Sequence, residues 1–123
     1  GTSISYGGIY VTDKTTRVGV LPYGYADGFL RSLSNNCELV TAQGPAKLLG
    51  KICMDMCMID LTDKYSVDVG SEVEIFGKQN PINDIAAFAG TIPYELTCAV
   101  SKRVPRFYYE DGELIEKELL LRF

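Results

Sequence analysis

The sequence predicts a mainly β domain, a β-barrel-like fold with two short helices inserted late in the chain. Short apolar segments separated by turn residues follow one another as far as Gly77. Residues typical of helix starts and helix stops occur together only between Asn80 and Ser101. The length of 123 residues and the hydrophobic fraction of 46% fit one domain with its own core.

The predicted strands are short, and turn residues bound them. Polar residues 13–16 separate the first two strands, which favours a hairpin between them. A second turn, built on Gly44 and Pro45, separates the next pair. Within the run KICMDMCMIDL both strand faces are apolar except for Asp55. The predicted strands cover 7–12, 17–22, 37–41, 46–54, 51–61, 69–77 and 106–110. The segments 46–54 and 51–61 overlap and form one continuous run.

The two predicted helices lie next to each other. Asn80 followed by Pro81 is typical of an N-cap and a first helical position, and Gly90 of a helix stop, so a helix is predicted over 81–89. Thr91 can cap a second helix, over 92–101. The tail 113–123 fits neither the helical nor the strand period, so helix and strand both stay open there.

Charge and hydropathy exclude two classes of partner. A net charge of −4 leaves no basic surface for a phosphate backbone, so no nucleic acid is expected. No apolar run approaches the roughly 20 residues that cross a bilayer, so no membrane partner is expected and a cytoplasmic location is predicted. Because the first residue is Gly1 rather than Met, we expect the chain to be a fragment of a longer protein.

Cysteine and histidine usage limits the possible chemistry. The four cysteines have irregular spacing and apolar neighbours, which favours reduced thiols over a disulfide scaffold. No tight C-x-x-C pair occurs, so no metal site is predicted. The chain contains no histidine, which excludes a Ser-His-Asp triad or a Cys-His pair made by this chain alone. Acid/base chemistry would fall to Tyr, Cys, Lys or a carboxylate.

Two tyrosines are candidates for that chemistry. Tyr6 lies beside two glycines in ISYGG, and Tyr25 lies in YGYADG. A strand, a turn and a returning strand fit between them, so both could reach one end of a sheet. In this interpretation Gly24 lets the backbone turn sharply, and Asp27-Gly28 reverses the chain. From the residues alone, packing as amphipathic side chains with the hydroxyl at the rim is the favoured interpretation of both tyrosines.

Asp55 and Tyr94 are further candidates. A carboxylate among apolar residues needs a cation or backbone donors, so pairing with Lys51 or Arg31 explains Asp55 as well as catalysis does. Tyr94 falls in the first turn of the second predicted helix, where free N–H groups favour an anion. Simple packing is again the alternative for Tyr94.

Several motifs in order resemble one family. The segments ISYGG, PYGYADGFLR, KICMDMCMIDL and TIPYELTCAVSKRVPR, with the spacings between them, resemble the C-terminal domain of bacterial alanine racemase. The resemblance runs from Gly1 to Tyr108. It implies that residues 1–123 are the β domain of an enzyme that interconverts L- and D-alanine for peptidoglycan precursor synthesis. The N-terminal (β/α)8 barrel of that enzyme is absent from this chain.

The resemblance also implies a cofactor and a partner. Pyridoxal 5′-phosphate would be bound covalently through a lysine of the absent barrel. In a homodimer, the site forms where the barrel of one subunit meets the C-terminal domain of the other, and alanine is the substrate. The isolated chain is therefore expected to be inactive.

Residue roles carry over by motif. Tyr6 would be the catalytic acid/base on the substrate face opposite the barrel lysine. Tyr25 would line the inner substrate channel, and Met54 would place its backbone beside the substrate carboxylate. Tyr94 would lie near the cofactor phosphate and narrow the channel.

Arg31 and Asp55 would line the channel entrance, and Lys51 stands where some relatives carry Arg, which keeps the charge but loses the planar fork. Two alternatives remain open. One is a related pyridoxal-phosphate racemase with serine or broad specificity, although Tyr25 and Tyr94 favour a methyl side chain. The other is a non-catalytic dimerisation or binding module.

Overall fold

The computed structural model describes residues 1–120 and contains three antiparallel sheets and two helices. The strands are β1 Ser3–Ile4, β2 Tyr10–Val11, β3 Val18–Leu21, β4 Glu38–Thr41, β5 Gly44–Leu49, β6 Cys57–Asp60, β7 Val73–Glu74, β8 Arg106–Glu110 and β9 Glu113–Glu118. The helices are α1 Ile82–Ala89 and α2 Pro93–Ala99, and single 3-10 turns cover Tyr6–Gly8, Tyr25–Asp27 and Arg31–Leu33. The prediction of a mainly β fold with two short helices is confirmed.

The central sheet has the strand order β3-β6-β5-β4-β7 and curls into a half-barrel. Its inner face follows strand alternation, because Leu39 on β4 and Leu48 on β5 are fully buried while their neighbours Glu38 and Lys47 are exposed. Both helices close this face, α1 through Ile85 and α2 through Leu96. The core therefore lies between the curled sheet and the two helices.

The hairpin predicted between segments 7–12 and 17–22 was wrong. β2 pairs with β1, and β3 pairs with β6 along its whole length, with Val18 opposite Asp60. The amide of Leu61 extends this ladder by donating to the Arg17 carbonyl at 2.7 Å. Pairing with β6 places β3 against a strand whose inner residues are buried, which a hairpin with β2, where neither residue is buried, would not do.

The strand predicted through 51–61 was wrong in its first half. Only Cys57–Asp60 is a strand, and residues 50–56 form a loop. The loop begins at Gly50, whose φ of 74° breaks the extended backbone, and a side chain there would lie 2.6 Å from the Ile4 carbonyl oxygen. The strand predicted over 69–77 is shortened to β7 in the same way, with Gly70 at φ 91° ahead of it.

Both helices form where predicted, but their starts differ in detail. The Asn80 side chain does not cap α1; its amide donates to the carbonyls of Glu38 and Ile75, at 3.0 and 2.8 Å. Thr91 donates its hydroxyl to the Glu95 carboxylate at 2.8 Å rather than to the helix backbone. Gly90 ends α1 with a left-handed φ of 71°, as the sequence predicts.

Of the two structures left open for the tail, helix and strand, the structure shows a strand: β9 pairs with β8 through a turn at Asp111-Gly112. Every residue of β9 is exposed, apolar ones included. Residues 121–123, which belong to the predicted tail, lie outside the described residues. Among residues 1–120, no helix has the length and apolar character that a membrane crossing requires.

Candidate functional site

The loop formed by residues 50–56, hereafter the 50–56 loop, is the structural base of the candidate site. It carries Met54 and Asp55, and the turns that hold Tyr6 and Tyr25 are both hydrogen-bonded to it. Because these turns come from distant parts of the chain, the loop is what brings the two tyrosine turns together.

The turn at Tyr25–Asp27 lies directly on the loop. The amide of Tyr25 donates to the Cys53 carbonyl at 3.0 Å, and the amide of Ala26 donates to the Met54 carbonyl at 2.9 Å. A Cβ at Gly24 would lie 2.3 Å from the Cys53 carbonyl oxygen. The reason predicted for Gly24 was therefore wrong: its φ of −145° is extended, and the glycine is needed for this close approach of two backbones.

The far side of the same turn contacts α2. Gly28 has a left-handed φ of 112°, so the predicted chain reversal at Asp27-Gly28 is confirmed. A Cβ at Gly28 would lie 2.4 Å from the Ala99 carbonyl oxygen at the end of α2. The Tyr25 turn is thus held between the 50–56 loop and α2.

The Tyr6 turn is anchored by its preceding residue. The Ser5 hydroxyl donates to the Lys51 carbonyl at 2.6 Å and lies 3.4 Å from the Cys53 sulfur. Ser5 has a φ of 62°, which costs about 1–3 kcal/mol for a residue with a side chain, so its contacts must hold it there. The Lys51 ammonium lies against the same turn, 2.9 Å from where a Cβ of Gly7 would stand.

Asp55 pairs with Arg103, and not with Lys51 or Arg31 as the sequence suggested. Arg103 donates from Nη2 to Asp55 at 2.6 Å and from Nε to Asp27 at 2.7 Å. The hydrogen bonds that Arg103 donates to these two carboxylates raise the pKa of its guanidinium above the ordinary value, so it stays a cation at any working pH. Arg103 was not among the residues predicted from the sequence; the structure shows that it pairs with Asp27, which is nearly buried.

Tyr94 and Arg31 lie apart from this bonded network. Tyr94 is the second residue of α2, whose Leu96 is buried in the core. Arg31 begins a 3-10 turn and is exposed. Within residues 1–120, no hydrogen bond or ion pair joins the side chain of either residue to Tyr6, Tyr25 or Asp55.

The four central candidates are all open to solvent. The exposed fractions are 71% for Tyr6, 43% for Tyr25, 54% for Met54 and 78% for Tyr94. Tyr6, Tyr25 and Met54 lie on segments that the 50–56 loop joins, whereas Tyr94 lies on α2. The arrangement presents phenols outward rather than enclosing a ligand.

The thiols divide by burial. Burial raises the pKa of Cys37 and of Cys57 to about 12, so both are packing groups at neutral pH. Cys53 is partly buried beside Ser5, and Cys98 is exposed. The part of the chain that the structure describes contains no group of three or more metal-ligating side chains.

Comparison with known proteins decides the family. The family described as "Alanine racemase, C-terminal domain" matches residues 1–108. The chain belongs to this family. That range includes all four motifs on which the resemblance in the sequence rests, and it ends inside β8.

Full-length members of the alanine racemase family resemble the chain closely. Alanine racemase 2 of Caldanaerobacter subterraneus subsp. tengcongensis is 43% identical over 98% of this chain and 32% of its own length. The alanine racemase of Clostridium novyi is 44% identical, over 94% of this chain and 31% of its own. The chain therefore spans about a third of the length of the curated relatives it matches.

Solved alanine racemases share the fold. The structure from Clostridium difficile 630, in complex with cycloserine, superimposes with a TM-score of 0.89 at 37% identity, over 98% of this chain and 32% of that one. The structure from Bacillus anthracis with bound L-Ala-P gives a TM-score of 0.87 at 32% identity, over 95% of this chain and 31% of that one. The half-barrel and its two helices are the fold of alanine racemase C-terminal domains.

Proposed function

We propose that this chain supplies the acid/base tyrosine and the substrate-channel residues of an alanine racemase, to a site completed by the barrel of a partner subunit. The carrying observation is that the 50–56 loop joins the Tyr6 and Tyr25 turns into one exposed surface, in a chain that belongs to this family. Residues 1–123 are then the C-terminal domain of a homodimeric, cytoplasmic enzyme. Its product, D-alanine, serves peptidoglycan precursor synthesis.

Racemisation explains why such a surface carries a phenol. A proton must leave one face of Cα and return to the other, so each face needs its own acid/base group. Tyr6, held outward by the Ser5 contact to Lys51, is the group of this chain for one face. A phenol has an ordinary pKa of about 10, so it acts as a base only in a positive field. The barrel of the partner subunit would supply that field.

The described residues fit the rim of a pyridoxal-phosphate site. The phenols of Tyr6 and Tyr94 are exposed and free to reach a group bound on another surface, whereas a covalent anchor would come from a lysine outside this chain. Tyr94 would approach the phosphate. When bound, the cofactor makes the proton on Cα acidic. Tyr25 and Met54 would then border the substrate, and Asp55 and Arg31 the channel entrance.

Substrate size follows from the same residues. Two tyrosines at the inner channel leave room for a methyl side chain and little more, which favours alanine over serine. A broad-specificity relative would need smaller residues at these positions.

The test compares the intact protein with the isolated chain. The intact enzyme, loaded with pyridoxal phosphate, should convert L-alanine to D-alanine, with a higher kcat/KM than for L-serine. The folded 123-residue chain, assayed alike, should form no D-alanine and retain no cofactor after gel filtration. Turnover by this chain alone would mean that it contains a complete site. An intact enzyme that prefers serine would overturn the assignment to alanine.

A further inference from the structure

Arg103 joins two separate segments of the candidate site. Its Nε donates to Asp27 in the Tyr25 turn at 2.7 Å, and its Nη2 donates to Asp55 in the 50–56 loop at 2.6 Å. These segments lie 76 and 48 residues away from Arg103 in the chain. One side chain therefore fixes the distance between the turn that carries Tyr25 and the loop that carries Met54.

The backbone around Arg103 is itself held on the Tyr25 turn. The amide of Ser101 donates to the Asp27 carbonyl at 3.0 Å, and the Ser101 hydroxyl accepts from the Arg103 amide at 3.3 Å. On its other oxygen, Asp27 accepts from the Gly24 amide at 2.9 Å. The backbone that carries Arg103 is therefore hydrogen-bonded to the Tyr25 turn, and the Arg103 side chain extends from it to the 50–56 loop.

We propose that Arg103 is a positioning residue, which holds the 50–56 loop and the Tyr25 turn in the relative placement that substrate binding requires. The inference rests on the proposed function, because the placement matters only if Tyr25 and Met54 border the substrate. Arg103 itself touches neither Tyr6 nor any reacting atom in this account.

A guanidinium suits this role, and an ammonium does not. Two donors of one rigid fork point at two different carboxylates, which a single ammonium point charge cannot reproduce with the same geometry. Lysine would keep the attraction to both carboxylates and lose the fixed spacing between them. Arg103→Lys therefore separates charge from geometry.

The two arms of Arg103 differ in environment. The Asp27 side chain is 12% exposed, whereas the Asp55 side chain is 58% exposed. The contact with Asp27 pairs a nearly buried carboxylate with a cation, so its loss would destabilise the fold. The Asp55 arm is a surface pair, which contributes little to stability, so its main effect is on where the loop lies. Asp55→Asn therefore tests the positioning role with the Asp27 arm intact.

The experiment uses the intact holoenzyme with Arg103→Gln, Arg103→Lys and Asp55→Asn, and with Lys102→Gln as the matched control. Lys102 is exposed and adjacent to Arg103, so its variant removes one positive charge but leaves the contacts of Arg103 with Asp27 and Asp55 intact. Arg103→Gln should lower kcat/KM for L-alanine by about 10- to 100-fold, because small misplacements of binding groups cost on that order. Arg103→Lys should recover only part of the loss, and Lys102→Gln should match the wild type.

Two further readouts separate positioning from stability. In Arg103→Gln and in Asp55→Asn, amide hydrogen exchange should be faster than in the wild type for the peptide that contains Tyr25 and Ala26, because the amides of these two residues bond to the 50–56 loop. The double variant Arg103→Gln/Asp55→Asn should lose no more activity than the worse single variant, since both substitutions break the same contact between the 50–56 loop and Arg103. Additive losses, or wild-type exchange at Tyr25 and Ala26 in Asp55→Asn, would overturn the inference.

Failure of the inference is distinguishable from failure of the proposed function. A wild-type holoenzyme without alanine racemase activity would refute the proposed function, while faster amide hydrogen exchange in the variants would still support the positioning role of Arg103. An active wild type with equally active Arg103 variants would refute the positioning role alone. If Arg103→Gln does not fold, Asp55→Asn still decides, because it leaves the Asp27 arm in place.

Discussion

The Ser5 hydroxyl donates to the Lys51 carbonyl oxygen over 2.6 Å, and this bond joins the Tyr6 turn to the 50–56 loop. Two residues further along, the Cys53 carbonyl accepts from the amide of Tyr25 at 3.0 Å. Both tyrosine turns therefore rest on one short piece of backbone. A shift of that backbone would displace both phenols together, so the loop, rather than either turn, sets the geometry of the surface.

Tyr6→Phe in the intact enzyme should slow racemisation by about 10²- to 10⁴-fold, the usual contribution of a general acid/base group. Cofactor binding should persist, because the covalent anchor lies elsewhere. Steady-state kinetics in both directions, with solvent-hydrogen exchange at Cα, measure the effect. Tyr65→Phe is the control, since Tyr65 is similarly exposed, at 80%, in the turn before Val67. Near-normal turnover of Tyr6→Phe would remove Tyr6 from the mechanism.

Tyr94→Asn should raise kcat/KM for serine relative to alanine. Loss of the ring opens the channel, and the amide offers a hydrogen-bond partner to the serine hydroxyl. One pocket contact changes selectivity by roughly 1–3 kcal/mol, so the ratio should shift by about 10-fold or somewhat more. Tyr65→Asn should leave the ratio as it is. An unchanged ratio in Tyr94→Asn as well would show that Tyr94 faces away from the substrate.

Gly24→Ala should destabilise the domain more than Gly44→Ala does. Gly44 has a φ of 101° and open space around it, so alanine there costs only backbone strain, about 1–2 kcal/mol. At Gly24 the new Cβ would meet the backbone oxygens of Cys53 and Met54 at 2.3 and 2.5 Å, which cannot move without displacing the loop. Urea unfolding of the 123-residue chain compares the two. Equal midpoints would contradict the close backbone approach.

The buried thiols predict an alkaline loss of stability. Burial raises the pKa of Cys37 and of Cys57 to about 12, from 9.0. Above pH 9 the unfolded chain loses these protons while the folded chain keeps them, so the free energy of unfolding falls with pH until about 12. Each thiol contributes a slope of about 1.4 kcal/mol per pH unit. Stability from these groups is complete below pH 9.

Urea titrations of the 123-residue chain between pH 8 and 10 measure this slope. Cys37→Ala should be less stable overall, yet its stability should fall less steeply above pH 9, because one thiol no longer titrates. Cys98→Ala, which removes an exposed thiol, should keep the wild-type slope. Identical slopes in Cys37→Ala and in the wild type would contradict the account of buried thiols.

Local signals predicted the elements of the fold but not their partners. The stop at Gly90 acts through the conformation of one residue, so the end of α1 could be predicted from the sequence. The β4-β5 hairpin also forms, but the turn predicted at Gly44 and Pro45 was wrong in position: the turn is Ala42-Gln43, and Gly44 already pairs with Thr41 as the first residue of β5. The pairing of β3 with β6 depends on which distant strand offers a buried face, with Val18 opposite Asp60. No neighbouring residue encodes that choice, and the hairpin prediction therefore failed.

The candidate site divides in the same way. Tyr6, Tyr25, Met54 and Tyr94 could be selected from motifs, and their roles remain predictions. A run that is apolar on both faces made 51–56 look like a strand, and the sequence does not show that the carbonyls of Cys53 and Met54 bond to the Tyr25 turn. Arg103 could not be selected, since its partners Asp27 and Asp55 become neighbours only in the folded chain.

The central claim is that this domain completes the site of a partner subunit, and mixed dimers test it most directly. One intact enzyme carries Tyr6→Phe, the other lacks the cofactor lysine of the barrel, and each is nearly inactive alone. If the site is shared between subunits, each mixed dimer gains one site with both native groups, and random mixing restores roughly a quarter of wild-type activity. If the site lies within one subunit, every site in the mixture is defective. A mixture no more active than its components would contradict the claim.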